Sequence, residues 1–291
     1  MIRVGTRGSA LALAQAESVG SRLGVEYELV TVTTSGDRGF AVGDKSRWTS
    51  QLERALLDDE IDLAVHSAKD VPTEIGDGLE LVAFPRRASA LDAICGASSL
   101  AALSPGARVG TSSLRRAAQI RAARDDVSVV ELRGNVDTRL RKLAEGECDA
   151  LVLAFAGLQR LGLADAAGGV LDEVIPAGGQ GALAVEAVAG KLPDSVLEGV
   201  RDADTAACVL AERDLVRGLD ASCNTPVGAF ARVVGHGQLE LRGWAGLPDG
   251  SAWVSDCVTG APAEVGGAVA ERMLAAGAGE LLRRAERAVR S

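Results

Sequence analysis

The chain repeats itself. Arg3-Val4-Gly5-Thr6 leads into a helix-patterned ALALAQAESV, and Arg108-Val109-Gly110-Thr111 leads into a helix-patterned LRRAAQIRAA. Each unit reads as a short strand, a Gly-Thr/Ser turn and a helix. The echo continues downstream. LERALLDDEIDLAVHSAKD at 52–70 matches RLRKLAEGECDALVLAFAG at 139–157 as helix, acidic turn and buried strand. Two linked matches in the same order predict two similar α/β halves flanking a cleft. In open α/β sheets ligands bind beyond the carboxyl ends of the strands, and both Gly-Thr/Ser turns fall there. Helix N-termini at such ends offer unpaired N–H groups to anions. The alternative is that Thr6 and Ser112 serve only as helix N-caps.

The rest of the chain fits around this repeat. IPAGGQGALAVEA, from Ile175, reads as a glycine-rich turn and a strand that crosses back to the first half. Residues 203–217 form an amphipathic helix. Strand-like runs FARVVG, QLELRGWAG and AWVSDCVTG follow, and one helix over about 263–288 closes the chain. The domains expected are 1–86 with 180–200, then 87–179, then a smaller C-terminal α+β domain over 201–291. Hydrophobic residues make up 47% and aromatics 3%, so the core must be built of Ala, Val and Leu.

Charge is unevenly placed. The net charge of −9 argues against generic nucleic-acid or anionic-membrane binding. Within 108–142, however, nine basic residues face four acidic ones, a local excess of five positive charges. Arg115 and Arg116 fall in the first turn of a helix, where the dipole opposes a cation. Arg133 stands directly after a strand. Arg121, Arg124, Arg141 and Lys142 read as surface residues. Arg115, Arg116, Arg133 and Arg139 read as a clamp for carboxylate or phosphate, because guanidinium forks bind both bidentately. With no GxxxxGK[ST] and no GxGxxG, several carboxylates fit better than a nucleotide.

In the first half, the apolar strand DLAVHS breaks into Lys69-Asp70. A carboxylate at the end of a buried strand can stabilise positive charge or move protons. It can equally form a structural ion pair with Lys69 or an arginine. His66 reads as a satisfied, half-buried histidine. There are five cysteines, an odd number, with no CxxC, which disfavours a disulfide framework or a zinc site. Cys95, Cys148 and Cys208 sit in apolar surroundings and Cys257 in a strand. Only Cys223 lies in a polar turn, DASCNTPVGAF. No apolar run is long enough to span a membrane or act as a signal peptide, so the cytoplasm is expected.

RVGTRGSALALAQ, DLAVHSAKDVPTE, VGTSSLRRAAQ, ELRGNVDTRL, LAFAGLQRLGL, IPAGGQGAL and SCNTPVGAFA, in this order, resemble the signature blocks of the porphobilinogen deaminase (hydroxymethylbilane synthase) family. The resemblance implies two domains like type II periplasmic binding proteins and a third that carries a cysteine loop. It implies a transferase that joins four porphobilinogen molecules head to tail into linear hydroxymethylbilane, with ammonia released at each step. The growing chain is held on a dipyrromethane cofactor linked by a thioether to the position of Cys223. Each pyrrole ring brings an acetate and a propionate, so every addition adds two negative charges.

By this resemblance Arg7, Arg115, Arg116, Arg133, Arg139 and Arg160 bind carboxylates. Thr111, Ser112 and Ser113 add hydrogen-bond donors, and Gln15, Ser67, Lys69 and Gln180 match contact positions. Loss of ammonia leaves an azafulvene-like cation. Asp70 matches the carboxylate facing the pyrrole nitrogens, with electrostatic stabilisation and proton transfer as its roles. No metal, nucleic acid or membrane is implied, and the family is usually monomeric.

The chain departs from the pattern in TTSGDRGFAVGDKSRWTSQLE, a short version of the family's mobile lid. Ser35, Ala41, Asp44 and Trp48 are its unusual residues, and Trp48 could stack on a pyrrole or simply pack. Asp137 stands between the two clamp arginines and is expected to tune one of them. A second reading, a non-catalytic anion-binding module, accounts for the duplicated halves and the arginines. It accounts for neither the third domain nor Cys223.

Overall fold

A computed structural model describes residues 1–32, 46–222 and 225–290, with no side-chain description for 46–48, 289 and 290. The chain divides into two compact units, Met1–Ala88 with Gly181–Val209 and Ser89–Gln180 with Leu210–Ser291. Among the described residues the strands form three sheets.

In the first unit β1 (Ile2–Thr6), β2 (Tyr27–Thr31), β3 (Leu63–Ser67), β4 (Leu79–Ala83) and β10 (Leu183–Val188) lie in the order β2-β1-β3-β10-β4. In the second, β5 (Asp92–Cys95), β6 (Arg108–Gly110), β7 (Ser128–Val130), β8 (Ala150–Ala154) and β9 (Gly169–Leu171) lie in the order β7-β6-β8-β5-β9. The two orders are the same once the strands are matched, and so are the registers. Val4 is opposite Leu63 in the parallel pair β1/β3, and Val109 is opposite Ala150 in the parallel pair β6/β8. The antiparallel strand of each sheet, β10 or β5, pairs with the inner parallel strand, β3 or β8. The strand expected to cross back after Ile175 is β10, and it does join the first sheet.

Apolar stretches such as ALVLA need cover on both faces, as parallel strands do. The helices supply it. α1 (Ala10–Gly20) buries Ala16 and Val19 against Val4, Leu63, Val65 and Leu183, while α2 (Ser46–Leu57) buries Leu52 and Leu56 against Ala64 and Leu79. In the second unit α3 (Leu114–Ala123) sets Ile120 on Val109 and Val152. On the opposite face, α4 (Val136–Ala144) and α5 (Phe155–Arg160) set Leu140, Leu143 and Leu158 on Leu151 and Leu153. The glycine in both RVGT copies has one cause. A Cβ on Gly5 would sit 2.2 Å from Ile61 Cδ1, and one on Gly110 would sit 3.0 Å from Cys148 Sγ.

The cap expectation is corrected. α1 is capped by Ser9, whose Oγ accepts from Ala12 N, and α3 by Ser113, whose Oγ accepts from Arg116 N. Thr6 is the last residue of β1 and donates from Oγ1 to Ala12 O at 3.0 Å, and Ser112 is exposed. The first turn is one residue longer than its echo, which moves the cap along by one.

After the short α6 (Asp194–Leu197), α7 (Ala203–Gly218) leads into the C-terminal part. There β11 (Val227–Gly235), β12 (Gln238–Gly246) and β13 (Trp253–Gly260) form an antiparallel sheet. The single closing helix expected is two helices, α8 (Pro262–Ala275) and α9 (Ala278–Arg290). Gly277 between them has φ +98°, a left-handed conformation that suits glycine and ends α8. Within this unit Trp244 packs with Ala118, Ile175 and Phe230. Arg121 donates to Pro248 O at 2.8 Å, and Arg124 to Leu100 O, Leu103 O and Asp126. Arg121 and Arg124 are therefore half-buried tethers, not the plain surface residues expected.

Candidate functional site

The residues singled out in the sequence collect at strand ends within their own units. In the first unit, Arg7 follows β1. Ser67 ends β3, and Lys69 and Asp70 lie in the 3₁₀ turn Ala68–Asp70 that follows. All four are half-buried, and Gln15 on α1 is buried. Asp70 makes no ion pair with any described residue, so the structural ion-pair reading has no partner there. His66 is fully buried, more than expected. Its Nε2 lies 3.0 Å from Oε2 of Glu186 on β10.

In the second unit, Thr111, Ser112 and Ser113 follow β6. Thr111 Oγ1 accepts from Ser113 N at 3.2 Å, and Ser113 caps α3. Arg115 and Arg116 start α3 but do not point into water, for their side chains are only 6% and 7% exposed. Both close on Asp92, the first residue of β5, whose side chain is 0% exposed. Asp92 Oδ1 accepts from Arg116 Nε and Nη2 at 3.0 and 2.7 Å and from Gln180 Nε2 at 2.7 Å, and Oδ2 accepts from Arg115 Nη2 at 2.8 Å. Arg115 Nη1 also donates to Ile175 O at 2.8 Å. Burial works against the Asp92 carboxylate, but Arg115 and Arg116 together hold it well below the usual carboxylate range. Burial pulls the Arg115 guanidinium down against the attraction of Asp92.

The local excess of positive charge is mostly answered. Arg108 pairs with Asp149, Arg141 with Glu145 and Lys142 with Glu147, all carboxylates just beyond the basic stretch. Arg124 pairs with Asp126, and Arg133, exposed, pairs with Glu131. Asp137, expected to tune a clamp arginine, is exposed and makes no ion pair with a described residue. Arg139 stands apart. It is half-buried, donates from Nε to Gly134 O at 2.7 Å, and has no ion pair among the described residues. Burial, helped by the like charge of Arg116, pulls its guanidinium below the ordinary value. Burial pulls Arg160, at the end of α5, down to about 10. A half-buried cation whose charge burial opposes is one that an anionic ligand would favour.

Sequence reading missed Asp92. The available signal was a carboxylate opening the apolar run DAIC, the counterpart of Asp70 just past the apolar run of β3. It also missed Glu212 on α7, fully buried, whose Oε2 accepts from Gly179 N at 2.6 Å and whose Oε1 accepts from Ala231 N at 2.7 Å. Cys223 and the lid residues Ser35, Ala41 and Asp44 lie outside the described residues, as does the side chain of Trp48. Of the other cysteines, Cys95, Cys148 and Cys208 are buried, as expected of packing residues, and Cys257 is exposed. Among the described residues no His/Cys/Asp/Glu group could hold a metal ion, and no helix is long and apolar enough to cross a membrane.

Residues 2–193 match the family model described as porphobilinogen deaminase, dipyromethane cofactor binding domain, and residues 206–275 match porphobilinogen deaminase, C-terminal domain. The chain belongs to the porphobilinogen deaminase family. A porphobilinogen deaminase of Deinococcus deserti is 44% identical over 97% of this chain and 97% of its own length. One of Thermus thermophilus is 46% identical over 87% of this chain and 88% of its own. Family membership thus covers both α/β sheets and the C-terminal part, which an anion-binding module would lack. Periplasmic solute-binding proteins overlap the chain loosely. The sulfonate-binding protein SsuA of Methylobacillus flagellatus is 14% identical over 73% of this chain and 66% of its own, with a TM-score of 0.38.

Proposed function

We propose that this chain condenses four porphobilinogen molecules head to tail into linear hydroxymethylbilane, releasing ammonia at each step, from a dipyrromethane held by a thioether to Cys223. One observation carries the reading beyond family membership: Arg139, on α4, has no ion pair among the described residues, and burial opposes its charge as it opposes that of Arg160 at the end of α5. A ligand with two carboxylates per ring brings negative charge to such cations, and guanidinium forks take carboxylates bidentately. The donor set therefore fits a polycarboxylate group. Arg139 and Arg160 would hold its acidic side chains, with Arg133, Arg7 and Lys69 as further cations for them. When bound, the dipyrromethane supplies the primer to which substrate rings are joined.

The chain's own contribution is positioning and charge. Asp70, half-buried and with no ion pair to a described residue, keeps its carboxylate for positive charge developing on pyrrole nitrogens. A fixed anion in a partly desolvated place stabilises such charge, and the same oxygen can take up or return a proton. Thr111, Ser112 and Ser113 offer hydroxyl and backbone donors beside the start of α3. A thiol at 223 suits the anchor, being nucleophilic enough to capture a carbon electrophile in a lasting bond.

Intact mass tests this. Protein from a host that makes porphobilinogen carries an adduct of two pyrrole units, Cys223→Ser removes it, and the loaded protein releases ammonia from porphobilinogen. Native maleimide labelling of the loaded protein then modifies Cys257 and spares Cys223. An unmodified mass with no ammonia release defeats the reading.

A further inference from the structure

We propose that Asp92 is a positioning residue for the anion clamp: it fixes the orientation of Arg115 and Arg116 and cancels one of their two charges, leaving one net positive charge for a ligand carboxylate. This rests on the reading above. Three side chains, Arg115 and Arg116 from α3 and Gln180 from the segment before β10, converge on the Asp92 carboxylate of β5, which is 0% exposed. Every Asp92 oxygen accepts from a guanidinium, and Gln180 ties the same carboxylate to Ala90 O through its amide, at 2.7 Å to each. The group carries two buried cations and one buried anion. Nε of Arg115 is buried without a hydrogen-bond partner among the described residues. The arrangement is therefore short of one acceptor and one negative charge.

The duplicated fold builds the same architecture once without this cluster. Asp92 pairs with Ala154 on β8, and the matching pair in the first sheet is Leu183 with Ser67 on β3. The first unit thus has leucine where the second has Asp92. Counted from the capping serines, Arg115 and Arg116 correspond to Leu11 and Ala12 on α1. One half builds the same sheet and helix with apolar residues at all three places. The carboxylate occurs only in the half where the two arginines occur. Two guanidiniums side by side repel unless a carboxylate divides them, and a charged acceptor also fixes their planes. Placement matters because an error of about 1 Å in a binding group can cost on the order of a hundredfold in rate.

The test uses the full chain. Asp92→Asn keeps the volume and removes the charge, whereas Asp92→Glu keeps the charge and moves it by one methylene. In loaded enzyme the Asn variant is expected to stay folded by circular dichroism. Its KM for porphobilinogen should rise on the order of tenfold or more, with a smaller fall in kcat, and the Glu variant should lie between it and wild type. A merely structural role would lower the melting temperature and leave the KM of the folded enzyme unchanged. A folded Asn variant with KM within about twofold of wild type overturns the proposal. If the Asn variant does not fold, the Glu variant decides: raised KM supports the proposal and unchanged KM overturns it.

A second arm needs no turnover. In the Cys223→Ser background, 15N spectra report exchange at arginine Nε–H, and Arg116 Nε donates to Asp92 at 3.0 Å. Asp92→Asn is expected to speed that exchange several-fold, because a neutral acceptor holds the donor less strongly. Unchanged exchange overturns the positioning role. Failure of wild type to carry the adduct or release ammonia would defeat the enzymatic reading, and this arm would still decide the role of Asp92.

Discussion

Glu212 offers the most quantitative check on the second unit. Its side chain is fully buried, and its two oxygens accept from Gly179 N at 2.6 Å and Ala231 N at 2.7 Å. It joins the turn that carries Gln180 to β11, the strand that follows the cysteine loop. Glu212→Ala removes both acceptors and leaves two buried backbone N–H groups. Each such group costs about 1–3 kcal/mol, so the loss is about 2–6 kcal/mol before any cavity is counted. Glu212→Gln keeps one carbonyl oxygen but sets an amide NH2 against the other N–H, so about half that loss is expected. Urea unfolding at neutral pH reads this out through Trp244, which is 5% exposed on β12 beside β11. The order wild type, Gln, Ala is the expected result. An Ala variant within about 1 kcal/mol of wild type, or a Gln variant less stable than Ala, refutes the accounting.

Two further outcomes are expected. Burial lowers Arg160 to about 10, and a folded-state value below the unfolded one means that the charged form destabilises the fold. That cost is fully present at pH 7 and is relieved only as pH rises through about 10. Arg160→Met should therefore stabilise the unliganded protein at pH 7 by up to about 3 kcal/mol while impairing turnover. A Met variant less stable than wild type in thermal melts would show that burial is not the dominant effect. Asp70→Asn should abolish ammonia release with the melting temperature unchanged, since the carboxylate has no ion pair to a described residue to lose. Near-normal activity in that variant removes Asp70 from the mechanism.

The duplicated strand, turn and helix were legible because each signal is local. Repeating Val-Gly-Thr, the apolar runs of β3 and β8, and the 3.6-residue pattern of the helices all act within a few residues. So did the placing of Lys69, Asp70 and Arg133 just past strands. The helix caps fall three positions past Thr6 and one past Ser112, because each turn runs on before its helix begins, and the closing helix broke at Gly277 because a left-handed residue interrupts its pattern.

What the sequence alone could not determine is which charges are answered. Arg115 and Arg116 read as a free clamp, yet they close on Asp92, 23 and 24 residues away, with Gln180 a further 88 residues from Asp92. His66 meets Glu186 across 120 residues. Composition and order set the elements and their pairing, through contacts each segment makes with its near neighbours. The state of a buried charge depends on which distant side chain packing brings within about 3 Å and on how much water it removes. That is why the basic stretch was visible in the sequence, while the burial that opposes the charges of Arg115, Arg139 and Arg160 emerged only in the tertiary structure.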